Sequence, residues 1–340
     1  MANRWPGGLI RKTAVTPASA APSGAASGVW TLSEAAYWIK QGMWPSAARG
    51  LFGGGDTTGS GAYSTVMDYI TIPTAGNATN FGNLTLARSS VAGCSSSTRG
   101  IFGGGFTNSA SSVIDYVTIG TTGNAANFGN LSLARFNLGG CSSSTRGVFG
   151  GGGTGSPSAV IDYVTIATTG NATNFGSLTV ARESLASCSS PTRGVFGGGS
   201  TGVSPFYSNI IDYITIATTG NATSFGNLTV ARSNLTACSS STRGMFGGGS
   251  TGSTSNVIDY ITIATTGNAT DFGDLTVARS SAAGCSSSIL GVFGGGWVGA
   301  VSKVIDYVTI STTGNATNFG NLTVSRANLA ACSNAHGGLG

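Results

Sequence analysis

The chain has 340 residues, of which 56 are glycine and only 8% are charged, a composition typical of turn-rich chains with short strands and little helix. The formal net charge of +5 comes from few ions, so we expect no clustered basic surface and no nucleic-acid partner. No stretch approaches 18 consecutive apolar residues and the first 30 residues lack a secretion signal, so we expect a soluble chain made in a cytoplasm, without membrane insertion.

Residues 1–45 are predicted to form a separate N-terminal arm. Residues 13–28 are rich in Ala, Ser, Pro and Gly and indicate a linker. One short helix is predicted at about 32–41, because Thr31 and Glu34 match a capping box and Gly42 and Pro45 end the pattern. The arm is basic and carries four tryptophans, whose exposure would be unfavourable, so we expect it to dock on the rest of the chain or on a neighbouring subunit: Trp5, Trp30, Trp38 and Trp44.

Residues 46–340 repeat a unit of about 47 residues six times. A glycine block ends an apolar run at Gly53, Gly103, Gly150, Gly197, Gly247 and Gly294. An Asp-Tyr pair follows in each copy, at Asp68, Asp115, Asp162, Asp212, Asp259 and Asp306. Later landmarks are Phe-Gly, an Arg and, six residues after that Arg, a Cys. Six copies of every landmark predict six structural units.

Each unit is predicted to contain four strands. In the fifth copy they fall at 234–239, 243–249, 256–265 and 270–276, bounded by Gly, Ser, Asn or Thr turns and rich in β-branched and aromatic residues. A four-stranded antiparallel sheet of this length is one blade of a propeller, so the sequence predicts an all-β, six-bladed β-propeller. A solenoid is the rival arrangement, but it would need capping repeats at its ends.

The two ends of the repeat region are incomplete in a complementary way. The first unit begins at Arg49 without a Cys-bearing strand before it, while the chain ends with an extra one at 328–333. We therefore expect the C-terminal strand to complete the first blade and close the ring.

The repeated charged residues allow two interpretations. A ring of charges could bind an ion or an anionic ligand, or each Arg could satisfy a carboxylate or backbone carbonyls buried between blades. Residues identical in every blade are those that the scaffold needs, so we favour the structural role. The sixth copy supports this choice, because Leu290 replaces the Arg found in the other copies and a strict ligand ring could not tolerate the loss.

The sequence predicts no enzyme: no catalytic residues, no metal site and no cofactor. The chain has one histidine, His336, and its carboxylates are mostly symmetric copies, whereas acid–base chemistry needs His or carboxylates in different environments. One Cys per copy leaves no zinc ligand set, and symmetry-equivalent positions are expected to be too far apart for disulfides. The six cysteines are therefore predicted to be buried free thiols.

The copies differ in the loop between the glycine block and the Asp-Tyr strand, at 56–67, 106–114, 153–161, 200–211, 250–258 and 297–305. The position after the conserved Arg is also variable: Ser89, Phe136, Glu183, Ser233, Ser280 and Ala327. In a blade of four strands both segments lie on one face. Exposed aromatics on rigid loops commonly bind carbohydrate or protein surfaces, although they can also simply pack over the blades. The candidate ligand-binding residues are Tyr63, Phe106, Phe136, Phe206, Tyr207 and Trp297.

Two resemblances follow from these motifs. The order of strands in residues 46–333 resembles the kelch repeat, with Phe81 and Phe272 at a position where kelch repeats usually have Trp. The segment Met-Ala-Asn-Arg-Trp-Pro-Gly-Gly-Leu-Ile-Arg-Lys and the later Gly-Val-Trp-Thr-Leu-Ser-Glu-Ala resemble N-terminal segments of tail-fibre and other virion structural proteins of tailed phages, cyanophages among them.

The second resemblance implies an arm that anchors to other virion proteins and a propeller displayed for host-surface binding, to glycan or protein. It implies a virion location, in the tail rather than the capsid, a homo-oligomer in the particle, and assembly in the host cytoplasm. Two alternatives stay open: a capsid decoration protein that stabilises the shell, and a cellular kelch-type adaptor that binds a protein partner.

Overall fold

The computed structural model describes residues 48–339, so the predicted arm, its helix and its four tryptophans lie outside the described residues. Residues 48–339 form six four-stranded antiparallel sheets whose innermost strands contact one another in a closed circle. This arrangement confirms the predicted six-bladed β-propeller. The chain ends in a short 3₁₀ turn, Gly337–Leu339, within the part that the structure describes.

Strands are numbered β1 to β24 in chain order, and each blade contains one strand of each of four classes. The innermost strands are β24 (Ala330–Ser333), β4 (Ala92–Ser95), β8 (Gly139–Ser142), β12 (Ala186–Ser189), β16 (Thr236–Ser239) and β20 (Ala283–Ser286). The second strands are β1 (Arg49–Gly53), β5 (Arg99–Gly103), β9 (Arg146–Gly150), β13 (Arg193–Gly197), β17 (Arg243–Gly247) and β21 (Leu290–Gly294).

The third strands carry the Asp-Tyr pair: β2 (Val66–Thr71), β6 (Val113–Thr118), β10 (Val160–Thr165), β14 (Ile210–Thr215), β18 (Val257–Thr262) and β22 (Val304–Thr309). The outer strands are β3 (Thr79–Asn83), β7 (Ala126–Asn130), β11 (Thr173–Ser177), β15 (Thr223–Asn227), β19 (Thr270–Asp274) and β23 (Thr317–Asn321). Blades are numbered 1 to 6 from the one that contains β1.

The hydrophobic core lies between blades rather than within them. One cluster, for example, joins Ile101 and Phe128 of blade 2 to Phe149 and Ile166 of blade 3. One cluster of this kind lies between the two blades of each of the six neighbouring pairs. Because each blade buries both faces against its neighbours, no single repeat has a core of its own.

A buried ion pair crosses every blade boundary. The conserved Arg after each outer strand donates to the Asp of the next blade's third strand at 2.5–2.6 Å, with both side chains fully buried. Arg135, for example, pairs with Asp162 and also donates to the backbone carbonyls of Gly151 and Val160. A β-bulge precedes each of these aspartates where its strand pairs with the outer strand. The predicted structural role of these Arg and Asp residues is confirmed.

The arginines that open the second strands have a different role. Arg146 lies over the ring of Tyr163, with 4.5 Å from its guanidinium carbon to the ring centroid, and donates to the carbonyl of Ile216 in the next blade at 3.0 Å. Five blades have this arrangement, and Leu290 replaces the Arg in blade 6. The sequence predicted one structural role for all the repeated arginines, whereas only those that follow the outer strands pair with Asp.

The cysteines fill a space that a glycine leaves open in the neighbouring blade. A Cβ on Gly147 would lie 2.6 Å from the Cys94 sulfur, and the other five boundaries repeat this packing. All six thiols are free and buried, as predicted. Burial raises the pKa of every one, to about 12 for Cys141 and Cys332, so the thiolate form is disfavoured at neutral pH.

The ring closes through the C-terminal strand, as predicted. β24 pairs antiparallel with β1, with Gly50 opposite Ser333 and Gly53 opposite Ala330. The ion pair of Arg326 with Asp68 spans the same seam and has the geometry of the other five. The boundary between blades 6 and 1 therefore has the same ion pair as the other five, although it lacks the arginine-to-carbonyl hydrogen bond because blade 6 has Leu290.

Candidate binding face

The two faces of the propeller have different connections. One face, here called the loop face, carries the variable loops between the second and third strands and the connection from each outer strand to the next innermost strand. The opposite face, here called the uniform face, carries the short turns of nearly constant sequence, together with the start of β1 and the end of β24. Candidate ligand-binding residues therefore belong to the loop face.

The two variable segments pair with each other across blade boundaries. Ser89 and Phe106 exchange backbone hydrogen bonds, at 3.2 Å from the Ser89 amide and 2.8 Å from the Phe106 amide. The equivalent bridges join Phe136 to Gly153, Glu183 to Ser200, Ser233 to Ser250, Ser280 to Trp297 and Ala327 to Asp56. The prediction that both segments share a face is confirmed. The six paired segments, here called the rim, surround the centre of the loop face.

Three of the six candidate aromatics form a cluster. Phe106 packs edge-on against Tyr63, with 6.0 Å between ring centroids, and against Phe136, with 5.1 Å between centroids. All three are half-buried. Local packing therefore takes part of their surface and leaves the remainder exposed, across blades 1, 2 and 3.

The remaining candidates lie elsewhere on the rim. Trp297 of blade 6 is half-buried and its ring packs on Gly59 of the blade 1 loop, which brings it beside Tyr63's loop. Phe206 is 58% exposed in the long blade 4 loop and forms no ring contact among the described residues. Tyr207 is half-buried, with its hydroxyl beside Gly252. The structure thus brings four candidates together on neighbouring blades, whereas Phe206 and Tyr207 lie apart from them on blade 4.

Two carboxylates on the rim have different environments. Asp56 is buried, which acts to raise its pKa, but the amides of Thr58, Gly59 and Gly61 donate to its oxygens at 2.8–2.9 Å and bring the pKa below the usual value. Asp56 therefore organises the loop on which Trp297 packs. Glu183 lies beside Gly153, and burial raises its pKa.

A polar depression, here called the axial well, opens at the centre of the loop face. Six residues that precede the innermost strands surround it, two positions after each conserved Arg: Ser90, Asn137, Ser184, Asn234, Ser281 and Asn328. All six have positive φ angles, between 52° and 56°, and serine alternates with asparagine around the ring. Each backbone amide donates to the carbonyl of the preceding member at 2.7–3.0 Å, so a closed circle of six hydrogen bonds surrounds the mouth of the well. Its volume is about 110 Å³.

The axis narrows beneath the well to a second space of about 50 Å³ between the innermost strands. Innermost strands approach so closely that a Cβ on Gly93 would collide with the carbonyl of Ala331. Below them each serine hydroxyl donates to the carbonyl of the preceding blade's serine at 2.6–2.8 Å, in a circle formed by Ser95, Ser142, Ser189, Ser239, Ser286 and Ser333. The well and the space beneath it share six lining residues: Gly93, Gly140, Ser187, Ala237, Gly284 and Ala331.

The C-terminal residues cover the axis on the uniform face. The Nε2 atom of His336 lies 3.0 Å from the carbonyl of Ser95, and the amide of Gly338 donates to Nδ1 at 3.0 Å. Gly337 and Gly338 are buried against backbone carbonyls of the inner turns, where a Cβ would not fit. The sequence did not predict this plug, defined as His336 to Leu339, because the surface on which it packs exists only in the closed ring.

Among residues 48–339, no group of three or more His, Cys, Asp or Glu side chains could hold a metal ion. No helix in the same part of the chain is long and apolar enough to cross a membrane.

Comparison with protein-family models finds none that matches the chain, and comparison with curated proteins finds none similar to it in sequence. The kelch and phage resemblances therefore stay predictions, while the propeller itself is established.

Proposed function

We propose that this chain is a non-enzymatic binding component of a tailed-phage virion, a tail fibre or tail-associated protein. Its propeller displays the loop face for binding a host-surface glycan or protein. Residues 1–45 anchor it to other virion proteins. In this proposal the protein acts as one of several copies in the particle.

The observation that carries the proposal is the confinement of variation to one face. Every blade boundary uses the same ion pair and the same Cys-to-Gly packing, whereas the paired rim positions differ from blade to blade. Residues that the ring does not need are free to serve recognition. Aromatic side chains on rigid loops supply contact area at low entropic cost, which suits a binding face.

The position of the chain ends supports the proposed orientation. β1 begins with Arg49 on the uniform face, and β24 ends with Ser333 on the same face. The first strand of the ring therefore begins, and its last strand ends, on the side opposite the aromatic rim.

Binding can be tested with the full chain on an array of bacterial surface polysaccharides. The variant Trp297→Ala/Phe206→Ala removes two large side chains from the loops of blades 6 and 4, and we expect binding at least tenfold weaker with an unchanged melting temperature. The control is Ile289→Ala, which removes an exposed apolar side chain (64% exposed) from the uniform face. Equal binding by the double variant and the wild type would reject the loop face as the binding surface.

The virion location can be tested independently by mass spectrometry of purified particles that carry this gene. The proposal expects the protein in every preparation, at a copy number consistent with a tail component. A copy number near that of the major capsid protein would favour capsid decoration instead. Absence from the particles would leave the cellular adaptor as the better hypothesis.

A further inference from the structure

The six residues around the axial well have side chains that the ring itself does not use. Their backbone amides and carbonyls form the circle of hydrogen bonds described above. Five of the six side chains form no hydrogen bond among the described residues, and Asn234 makes only a 3.4 Å contact with Ser233. All six are half-buried. The well is therefore ringed by hydroxyl and amide groups with unused hydrogen-bonding capacity.

The backbone conformation at these six positions argues against a purely structural role for their side chains. A φ near 55° is the left-handed region, which glycine adopts without cost and serine adopts unfavourably. The chain contains 56 glycines and places at least three of them at positive φ in every blade, as at Gly104, Gly105 and Gly129. It nevertheless places no glycine at any of the six well positions. Asparagine tolerates this region best after glycine, so the strain lies at Ser90, Ser184 and Ser281, and their retention points to a role for the side chains.

The chemistry of the well restricts what it can hold. None of its 24 lining residues is charged, and the conserved arginines beneath the rim are fully buried and already paired with aspartates. An ionic ligand would find no counter-ion there. Hydroxyl and amide groups offer both donors and acceptors, which suits a ligand rich in hydroxyl groups. A well of about 110 Å³ that is open toward the loop face can receive part of a six-membered sugar ring, with the remainder of the ring above it.

The aromatic rim reaches the edge of the well. Phe136 directly precedes Asn137, and it belongs to the cluster with Phe106 and Tyr63. An extended molecule seated in the well can therefore continue across aromatic surface on blades 1 to 3. Polar groups that fix one end and apolar surface that supports the next portion are the usual division of roles in a small-ligand site.

We propose that the axial well binds one uncharged sugar residue, the terminal residue of a surface glycan. The biological source of the glycan rests on the function proposed above, whereas binding of the sugar itself does not. The alternating Ser and Asn side chains supply the hydrogen bonds, and the aromatic cluster contacts the residue that follows.

The alternation provides matched variants, because the chain itself accepts either residue at this position. Ser90→Asn/Ser184→Asn/Ser281→Asn fills the well with three larger side chains, and Asn137→Ser/Asn234→Ser/Asn328→Ser removes three amides. The control variant, Asn127→Ser/Asn174→Ser/Asn318→Ser, makes the same change at exposed positions of the outer strands. The probes are methyl glycosides of glucose, galactose, mannose, rhamnose and N-acetylglucosamine, with N-acetylneuraminic acid as the charged comparison, each measured by ligand-observed NMR.

We expect at least one uncharged methyl glycoside to bind the wild type and the control equally. The filled variant should bind it at least tenfold more weakly, and the variant without amides should also bind less tightly. Binding to none of the uncharged glycosides, or preference for N-acetylneuraminic acid, would overturn the proposal. Undiminished binding by the filled variant would also overturn it. If the filled variant fails to fold, the variant without amides decides the question.

The polysaccharide array separates this inference from the proposed function. If Trp297→Ala/Phe206→Ala abolishes binding to the array while the filled variant binds normally, the loop face stands as the binding surface and the well does not. If neither variant changes binding to the array, both proposals fall.

Discussion

The buried ion pair at each blade boundary makes the ring depend on single side chains. Arg135 and Asp162 are both fully buried, and burial lowers the pKa of Arg135 although the neighbouring carboxylate opposes this effect. Taking two charges out of water is costly, and good geometry with additional hydrogen bonds to carbonyls is needed to offset that cost. Removing one partner is therefore expected to matter more than removing both.

The variant Arg135→Met leaves Asp162 buried without its partner, so we expect a loss of about 3–5 kcal/mol in the free energy of unfolding. The double variant Arg135→Met/Asp162→Leu should recover most of this loss, because no buried charge is left unpaired. Urea denaturation measures the free energy of unfolding of both variants. The control is Arg146→Met at a partly exposed position, which should lower the free energy of unfolding by about 1 kcal/mol. A double variant as unstable as the single one would show that the pair itself stabilises the ring.

At the scale of elements, the ends of the strands follow local backbone geometry. In the fifth copy the predicted strand 243–249 ends at Gly247, because Gly248 and Gly249 adopt φ angles of 63° and 102°. The predicted strand 234–239 begins only at Thr236, because Asn234 is left-handed. The repeat predicted the existence and order of all these strands. The repeat could not predict at which positions glycine and asparagine leave the extended conformation, because many other glycines in this chain do not adopt positive φ angles.

β24 is the element on which closure depends. Deleting residues 328–340 removes the innermost strand of blade 1 and leaves the edge of β1 unpaired, whereas deleting 335–340 removes the plug and leaves Asn334 bonded to Arg49. We expect the longer deletion to self-associate through that edge and to melt at a lower temperature, measured by size-exclusion chromatography and calorimetry. Adding a peptide of residues 326–340 should restore the monomer. Similar behaviour of the two deletions would contradict this role.

The plug makes the stability of the fold depend on pH through the chain's one histidine. Both ring nitrogens of His336 are in use, since Nδ1 accepts from Gly338 and Nε2 is left to donate to Ser95, so the neutral form is bound. Burial lowers the pKa of His336 below 6.5, partly opposed by the bond to Ser95. The titratable groups on the innermost strands around it are the thiols of Cys94, Cys141, Cys188, Cys238, Cys285 and Cys332.

Because the pKa of His336 is lower in the folded state, its stabilising contribution is present above pH 6.5 and is lost as the pH falls through the folded value. We expect the melting temperature of the wild type to fall by about 1–3 °C more than that of His336→Asn between pH 7.5 and 5. Parallel melting curves over this range would show that the plug does not hold a neutral histidine.

At the scale of the whole molecule, the ring departs from sixfold symmetry in its structural contacts at Leu290. In the other blades an Arg at this position lies over the blade's own tyrosine and, as at Arg243, donates to a carbonyl of the next blade. Restoring the repeat with Leu290→Arg should place a guanidinium over Tyr307 and within reach of Ile72. We expect a gain of about 0.5–1 kcal/mol in the free energy of unfolding, measured by urea denaturation. A loss of stability would indicate that Leu290 contributes more through its packing with Ala48 and Ile70 than an Arg can replace.

The binding face was only partly predictable from the sequence. The variable loops and the residues after the conserved Arg could be assigned to one face because strand order determines it. The axial well was missed, although its signal, Ser and Asn alternating two residues after each Arg, is present in the sequence. Its six members are brought together only when the ring closes, and no local pattern distinguishes them from ordinary turn residues.

The ion pair and the Cys-to-Gly packing recur at all six boundaries, and this repetition bears on how such a gene can change. Since each blade offers the same Arg, Cys and Phe to its neighbours and receives the same Asp and Gly, any copy fits beside any other. Recombination between repeats can therefore reorder blades without disturbing the contacts that hold them, provided that their number stays at six. Each reordering would carry a different loop to a different neighbour, so shuffling of near-identical DNA would generate new combinations on the rim from loops already present.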